Sequence, residues 1–485
     1  MLRHVLQCTA LAVVAAALGT ALPAQNLAEE AGETGRRLVA AAADALGPAM
    51  ARLGAGQLRA EHRGTSYAVE QARDPADAVA AARRVYRWRF DLPNGRSIRE
   101  AEQHFPGGIF FWTRTAATTN GGWGIDVLKW RTGTDLQPLT AAEALRPRLQ
   151  WERLFAHLLL RQAELATAVE AIGPGAFRFR DAAGVLVEVT LDRATMLPVS
   201  AKEVGSGPPG PEIVYSQFRR RHGILFAHRT QSRQGERVAE ELQLVATRLT
   251  RPRDRDFDVP PGYAQPPPQA GPRLRELAPG VLLFENMPFS NRSMAVDMGD
   301  HLVLIEAPSS PQAGETQRQL LNEARPGKPV RYVLVTHHHG DHNAALLTWV
   351  QAGATIVVPQ GAQVAIERQL RARGHTGAVA IEGVAGRRSF GSGSNRIDAY
   401  SFASSHAAAH MVMHLPERRI LFQGDLFYLP ERGDAPPAFP VVRELDALIT
   451  RHGLGIDWIV GVHGRPATPA QMRQSLRRAL PRRGR

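Results

Sequence analysis

The chain has 485 residues, 44% of them hydrophobic and 22% charged, with a formal net charge of +13. These values describe an ordinary globular protein long enough for two or three domains, and they exclude a disordered or collagen-like chain. The positive charge is almost all arginine, in short scattered clusters such as Arg219-Arg220-Arg221 and Arg477-Arg478 without interleaved aromatics. It reads as a solvated basic surface, so no nucleic-acid partner is expected.

At the start, Arg3 and His4 precede a compact apolar core, Ala10 to Leu18, and then small residues. That pattern reads as an export signal over residues 1–24, with cleavage after Ala21 or Ala24, and predicts a periplasmic or secreted protein. The apolar core is too short to span a bilayer, so no stable membrane insertion is expected. The single cysteine, Cys8, lies in this segment. The mature chain therefore has no disulfide, and any metal must be held by His, Asp or Glu.

Residues 25–258 read as an α+β domain with a curved antiparallel sheet. An alanine-rich helical stretch (27–58) comes first. Strands are expected at 58–69, 84–91 and 109–114, then one or two helices over 140–172 with a break near Arg146-Pro147. Short strands follow at 176–180, 185–191, 198–204, 212–218, 224–232 and 238–249, punctuated by glycines. The segment from Phe177 to Tyr263 loosely resembles the last half of periplasmic lipoprotein-carrier β domains. Its echoes are Leu197-Pro198-Val199, Val214-Tyr215-Ser216-Gln217-Phe218-Arg219 and Phe257-Asp258-Val259-Pro260-Pro261-Gly262-Tyr263. Such a sheet could cup an apolar ligand, or serve as a packing or dimerisation module. Residues 259–273, with Pro260, Pro261, Pro266, Pro267, Pro268 and Pro272, read as an extended linker.

In residues 274–485 strands alternate with helices, the pattern of an α/β domain. Strands are expected at 281–285, 293–297, 302–306, 330–335, 355–358, 397–402, 411–415, 419–423 and 458–462. Helices are expected at 311–324, 343–350, 362–373, 441–452 and 469–479. The strand 330–335 runs into Thr336-His337-His338-His339-Gly340-Asp341-His342, a cluster of zinc-type ligands at a strand end. His406, Asp425 and His463 each follow another strand end beside small residues.

With these motifs in order, residues 280–470 resemble the metallo-β-lactamase superfamily. The resemblance implies an αββα sandwich with a dinuclear metal site where the two sheets meet. It implies that His337, His339 and His406 hold one ion, that Asp341, His342 and His463 hold the other, and that Asp425 bridges them. His338 is the variable position and should point away. Two Zn2+ are expected, with iron or manganese as alternatives. The implied chemistry is a metal-bridging hydroxide attacking a small-molecule ester, thioester, lactone or lactam, with Asp341 orienting the attacking oxygen. Tyr428, three residues after Asp425, matches a tyrosine that lactone-hydrolysing relatives set over the substrate oxygen; it could equally pack beside Phe427.

Several positions depart from the family pattern. Glu306 stands where an Asp is usual, Ser405 replaces a Gly before His406, and Val462 replaces a Gly before His463. His410 could contact a ligand or substrate, or simply pack. Arg368, Arg371, Arg373, Arg387 and Arg388 could greet an anionic substrate or form a solvated face. Two further readings stay open: a single-iron persulfide dioxygenase, and an apolar-ligand-binding protein with a secondary metal site.

Overall fold

A computed structural model describes residues 21–47, 56–205, 210–268 and 270–478. Residues 1–20 of the expected export signal, Cys8 among them, lie outside the described residues. Residues 21–24 open a helix, Ala21–Leu46. No helix among the described residues is long and apolar enough to cross a membrane.

The first domain contains β1 (Gln57–Val69), β2 (Val79–Asp91), β3 (Arg96–His104), β4 (Phe110–Thr118), β5 (Gly121–Asp126) and β6 (Gln137–Leu139). After two helices come β7 (Val169–Gly173), β8 (Ala176–Arg180), β9 (Leu186–Leu191), β10 (Pro198–Val204), β11 (Glu212–Arg221), β12 (Ile224–Gln234) and β13 (Arg237–Thr250). All thirteen form one antiparallel sheet in the order β6-β5-β4-β3-β2-β1-β13-β12-β11-β10-β9-β8-β7. Two meanders are thus zipped together by pairing of the first strand with the last. Alternate residues of the central strands, Leu58 and Ala60, Tyr86, Trp88 and Phe90, Leu242 and Leu244, share one face. The helices Ala141–Glu152 and Ala156–Leu165 bury Trp151, Phe155 and Leu158 against that face. That face of the sheet is therefore covered by the chain's own side chains.

The helix expected to break at Arg146-Pro147 instead runs through Pro147. A capping box of Thr140 and Glu143 and burial of Ala144, Leu149 and Trp151 hold it despite the lost N–H. The break comes at 153–155, where buried Arg153 turns to pair with Asp181 and Glu203. Residues 169–173, expected to be helical, form edge strand β7. The expected linker lies along this domain: the Ala264 N–H donates to the Thr134 carbonyl at 3.0 Å, and the Tyr263 hydroxyl donates to the Asp126 carbonyl at 2.9 Å.

The second domain is an αββα sandwich. Its first sheet runs β14 (Arg273–Ala278), β15 (Val281–Glu285), β16 (Ser293–Asp297), β17 (Leu302–Ile305), β18 (Val330–Leu334), β19 (Thr355–Pro359) and β20 (Ile381–Val384) in order. The second runs β21 (Arg387–Phe390), β22 (Ile397–Phe402), β23 (His410–Leu415), β24 (Ile420–Phe422) and β25 (Trp458–Val460). Strands β17, β19 and β24 are buried on both faces, which explains their apolar runs. In β17, Val303 and Ile305 join the core between the sheets, while Leu302 and Leu304 meet the outer helices. Pro311–Ala324 and Gln363–Ala372 cover the first sheet, and Val442–Arg451 and Pro469–Arg477 the second. Strands β17, β18, β22, β24 and β25 all end at the same edge.

Two buried imidazoles in the first domain make its stability pH-dependent. Burial, helped by the charge of His228, pushes His62 down to about 3, and Trp88 Nε1 donates to its Nδ1 at 3.0 Å. Burial pushes His157 down to about 4. Both rings stay neutral when folded but protonate near 6.5 when unfolded. Their stabilisation is complete above pH 6.5 and is lost as pH falls towards 4, by about 1.4 kcal/mol per pH unit for each ring. Urea titrations between pH 7 and 4.5 should show this decline, and His157→Leu should make it shallower.

Candidate metal centre

The site is assembled at the shared strand edge. Past β18 the chain turns through His337, His338 and His339 into the short helix Gly340–Asn343. The Asn343 Nδ2 donates to the His338 and His339 carbonyls at 3.0 and 2.8 Å and holds that turn. His406 lies in the bend after β22, Asp425 in the turn after β24, and His463 in the turn after β25.

All seven residues expected as metal ligands come together. They form two groups of potential ligands, His337, His339, His406 and Asp425, and Asp341, His342, Asp425 and His463. Asp425 belongs to both. Ligand atoms on a tetrahedral ion with bonds of about 2.0–2.2 Å lie about 3.3–3.6 Å apart. His337 Nε2 and His406 Nε2 are 3.3 Å apart, His406 Nε2 and Asp425 Oδ2 3.4 Å, and His463 Nε2 is 3.4 Å from both Asp341 Oδ2 and Asp425 Oδ1. His342 Nε2 is 3.0 Å from Asp425 Oδ1.

Proton placement also fits cation binding. His339 Nε2 lies 2.9 Å from the Ala72 carbonyl, which can only accept, so Nε2 carries the proton and buried Nδ1, without a partner, offers its lone pair. His337 Nδ1 contacts Thr336 Oγ1 at 3.0 Å, turning Nε2 to the cluster. Burial and then the neighbouring imidazoles hold the His337 ring far below the usual histidine range, hence neutral. Burial likewise lowers His342, but Asp425, Glu306 and Asp341 outweigh it and raise the ring well above normal, so this ring must give up a proton when a cation binds. Burial would raise Asp425, yet His342 and His463 keep its carboxyl well below the carboxylate range. The donor set thus has the composition of a site for divalent cations.

The positions that depart from the family pattern find physical reasons. Glu306, fully buried with φ +70°, accepts from the Thr336 N–H at 2.8 Å and brings Oε2 to 3.3 Å from His342 Nδ1. The longer carboxylate thus reaches a ligand's far nitrogen, and the turned backbone aims it. Ser405 donates its N–H and hydroxyl to Glu444, anchoring the bend that carries His406. Val462 is buried in the core between the sheets. His410 packs, its ring stacked at 4.8 Å on His337 and its Nδ1 3.1 Å from Ser404 Oγ. His338 is buried and belongs to neither ligand group. The Tyr428 ring lies parallel to the His463 ring at 5.2 Å, and burial, then Asp425 and Asp341, push its phenol well above the usual range. The arginines considered for an anionic substrate are paired: Arg371 with Glu367, Arg387 with Asp398, Arg388 with Glu382 and Arg373 with Glu70.

The sequence reading missed Gln71, whose Nε2 donates to Asp341 Oδ1 at 2.8 Å from the other domain. No motif marks it. Asp341, 42% exposed, and His463 form the open side of the cluster, while His337, His339 and His406 are buried.

Fold and site together define a metallohydrolase with a His-rich, candidate dinuclear metal centre. The family match agrees: residues 288–463 are a metallo-β-lactamase superfamily domain. Among solved structures, a metallo-β-lactamase from Pontibacter korlensis is 18% identical, with 42% of this chain and 97% of that one covered and a TM-score of 0.35. The stereoselective inverting sec-alkylsulfatase Pisa1 from Pseudomonas sp. is 16% identical, with 42% of this chain and 41% of that one covered and a TM-score of 0.34. The DIM-1 metallo-β-lactamase is 14% identical, with 42% and 95% covered and a TM-score of 0.35. No curated protein matches the chain.

Glu306→Gln keeps shape but removes the charge facing His342. It should weaken binding at the group containing His342 by about 10- to 100-fold and spare the other group. Titration with zinc against a chromophoric chelator reads both affinities, and equal affinities in variant and parent would show that Glu306 only packs.

Proposed function

We propose that the protein is an exported hydrolase that holds two divalent ions, zinc by preference with iron or manganese as alternatives, and cleaves an ester, thioester, lactone or lactam in a small molecule. The observation that carries this reading is the pair of ligand groups sharing Asp425 at separations that suit tetrahedral ions. Such ions, when bound, acidify water and polarise a carbonyl oxygen.

The chain's own residues supply the rest. Asp341 faces the open side with Oδ1 held by Gln71, so its carboxylate has a fixed direction from which to orient a water. Oxygen adds to the carbonyl carbon, the bond from that carbon to oxygen, sulfur or nitrogen breaks, and the proton taken from water passes to the leaving atom. Tyr428 keeps its phenolic proton at neutral pH and can donate it to a substrate oxygen beside His463. No side-chain nucleophile is required. The expected export signal supports a periplasmic or secreted location.

Metal analysis of the purified chain should return close to two zinc equivalents. One iron per chain would favour the dioxygenase reading. On a panel of lactone, thioester and β-lactam substrates, Asp341→Ala and His406→Ala should each lower turnover more than about 100-fold. Far-ultraviolet circular dichroism should stay unchanged. Retained turnover in either variant would remove the mechanism.

A further inference from the structure

The hairpin joining β1 to β2 reaches out of the first domain and lies on the metal-ligand turn of the second. The Gly340 N–H donates to the Glu70 carbonyl at 3.1 Å, and the Ala408 N–H to the Arg73 carbonyl at 2.8 Å. The hairpin thus touches both the turn carrying His337 to His342 and the bend carrying His406. The approach is so close that a Cβ on Gly340 would fall 2.3 Å from Glu70 Oε2, and the Glu70 carboxylate, paired with Arg373, would have to move to make room. A second loop of the first domain comes as near: a Cβ on Gly107 would lie 3.1 Å from His406 Cβ.

Two arginines of the helix Gln363–Ala372 and its end pin the hairpin. Arg368 donates to the carbonyls of Pro75, Ala76 and Asp77 at 3.1–3.2 Å. Arg373 pairs with Glu70 at 2.7 Å and also donates to Asn343, the residue that holds the His338 and His339 carbonyls. The hairpin is therefore tied to the ligand turn through a continuous set of polar contacts.

We propose that this hairpin is a positioning element of the metal centre, Gln71 fixing Asp341 through Oδ1 and the Ala72 carbonyl fixing His339 through Nε2. The inference rests on the two-ion reading above and adds that one ligand in each group is oriented by the first domain. Asp341 has Oδ2 turned to His463 Nε2 at 3.4 Å while Oδ1 accepts from Gln71. Without the amide, that carboxylate is free to rotate and to offer both oxygens to one ion. His339 without the Ala72 carbonyl loses the partner that selects its tautomer. Gln71 and Ala72 both lie outside the residues matched to the family, so the first domain is a working part of the active site and more than a neighbour.

The test uses the full chain and cobalt(II), whose visible absorption reports coordination geometry independently of turnover. Gln71→Ala should weaken ion binding at the Asp341 group about tenfold or more and change the intensity of its cobalt band, leaving the other group's affinity intact. Asp74→Ala, which removes the hairpin's internal bond to the Ala76 N–H at 2.9 Å and a charge near His338, a residue outside both ligand groups, should leave both unchanged. Thermal melts of the cobalt-free proteins confirm that both variants are folded. If Gln71→Ala matches the parent in both affinities and in spectrum, the hairpin merely packs and the inference is overturned. A parent chain that binds no ion would overturn the metal centre itself.

Discussion

Asp425 sits where two groups of imidazoles converge, within 3.4 Å of His342, His406 and His463. A buried carboxylate is costly unless compensated by positive charge, and several lone pairs aimed at one point repel unless a cation lies between them. The rest of the arrangement serves that contact. Strands from both sheets must end at one edge, in register, for residues far apart along the chain to meet there. Only a rigid core can hold such a cluster, and the layer between the sheets, with Val303, Ile305, Met411, Met413, Phe422 and Val460 fully buried, provides it.

The two domains are joined mainly by apolar contact. Ile109, Leu128 and Trp130 of the first domain are buried with Tyr428 and Phe439 of the second. Burying each large side chain contributes about 1.5–3 kcal/mol. The Arg432–Asp135 pair spans the same boundary, but its arginine is partly exposed and such pairs contribute about 1 kcal/mol or less. The aromatic patch holds the domains together, while the polar hairpin contacts set the direction of individual ligands.

Much of this was legible in the residues. Strands such as β17, β19 and β24 are apolar runs because both faces are buried, and such runs stand out. Less legible were β3, β5, β14, β20 and β21. In β3, Glu100 and Glu102 are buried because Arg114 and Arg87 pair with them across neighbouring strands at 2.8 and 2.7 Å. A charged stretch becomes a central strand only through partners that local sequence does not reveal. The break expected at Pro147 falls later for a related reason: capping and burial carry the helix through the proline, and it ends where Arg153 pairs with residues 28 and 50 positions away.

The amino-acid order alone marked the histidine run after β18, with His406, Asp425 and His463 at other strand ends, as candidate ligands, and the family resemblance singled out seven of these side chains. Tertiary structure decided which nitrogen of His339 carries a proton, how Glu306 reaches His342, and that Gln71 faces Asp341. Those are matters of direction between groups as many as 270 positions apart: packing within the second domain sets the reach of Glu306, and packing of one domain on the other sets the other two.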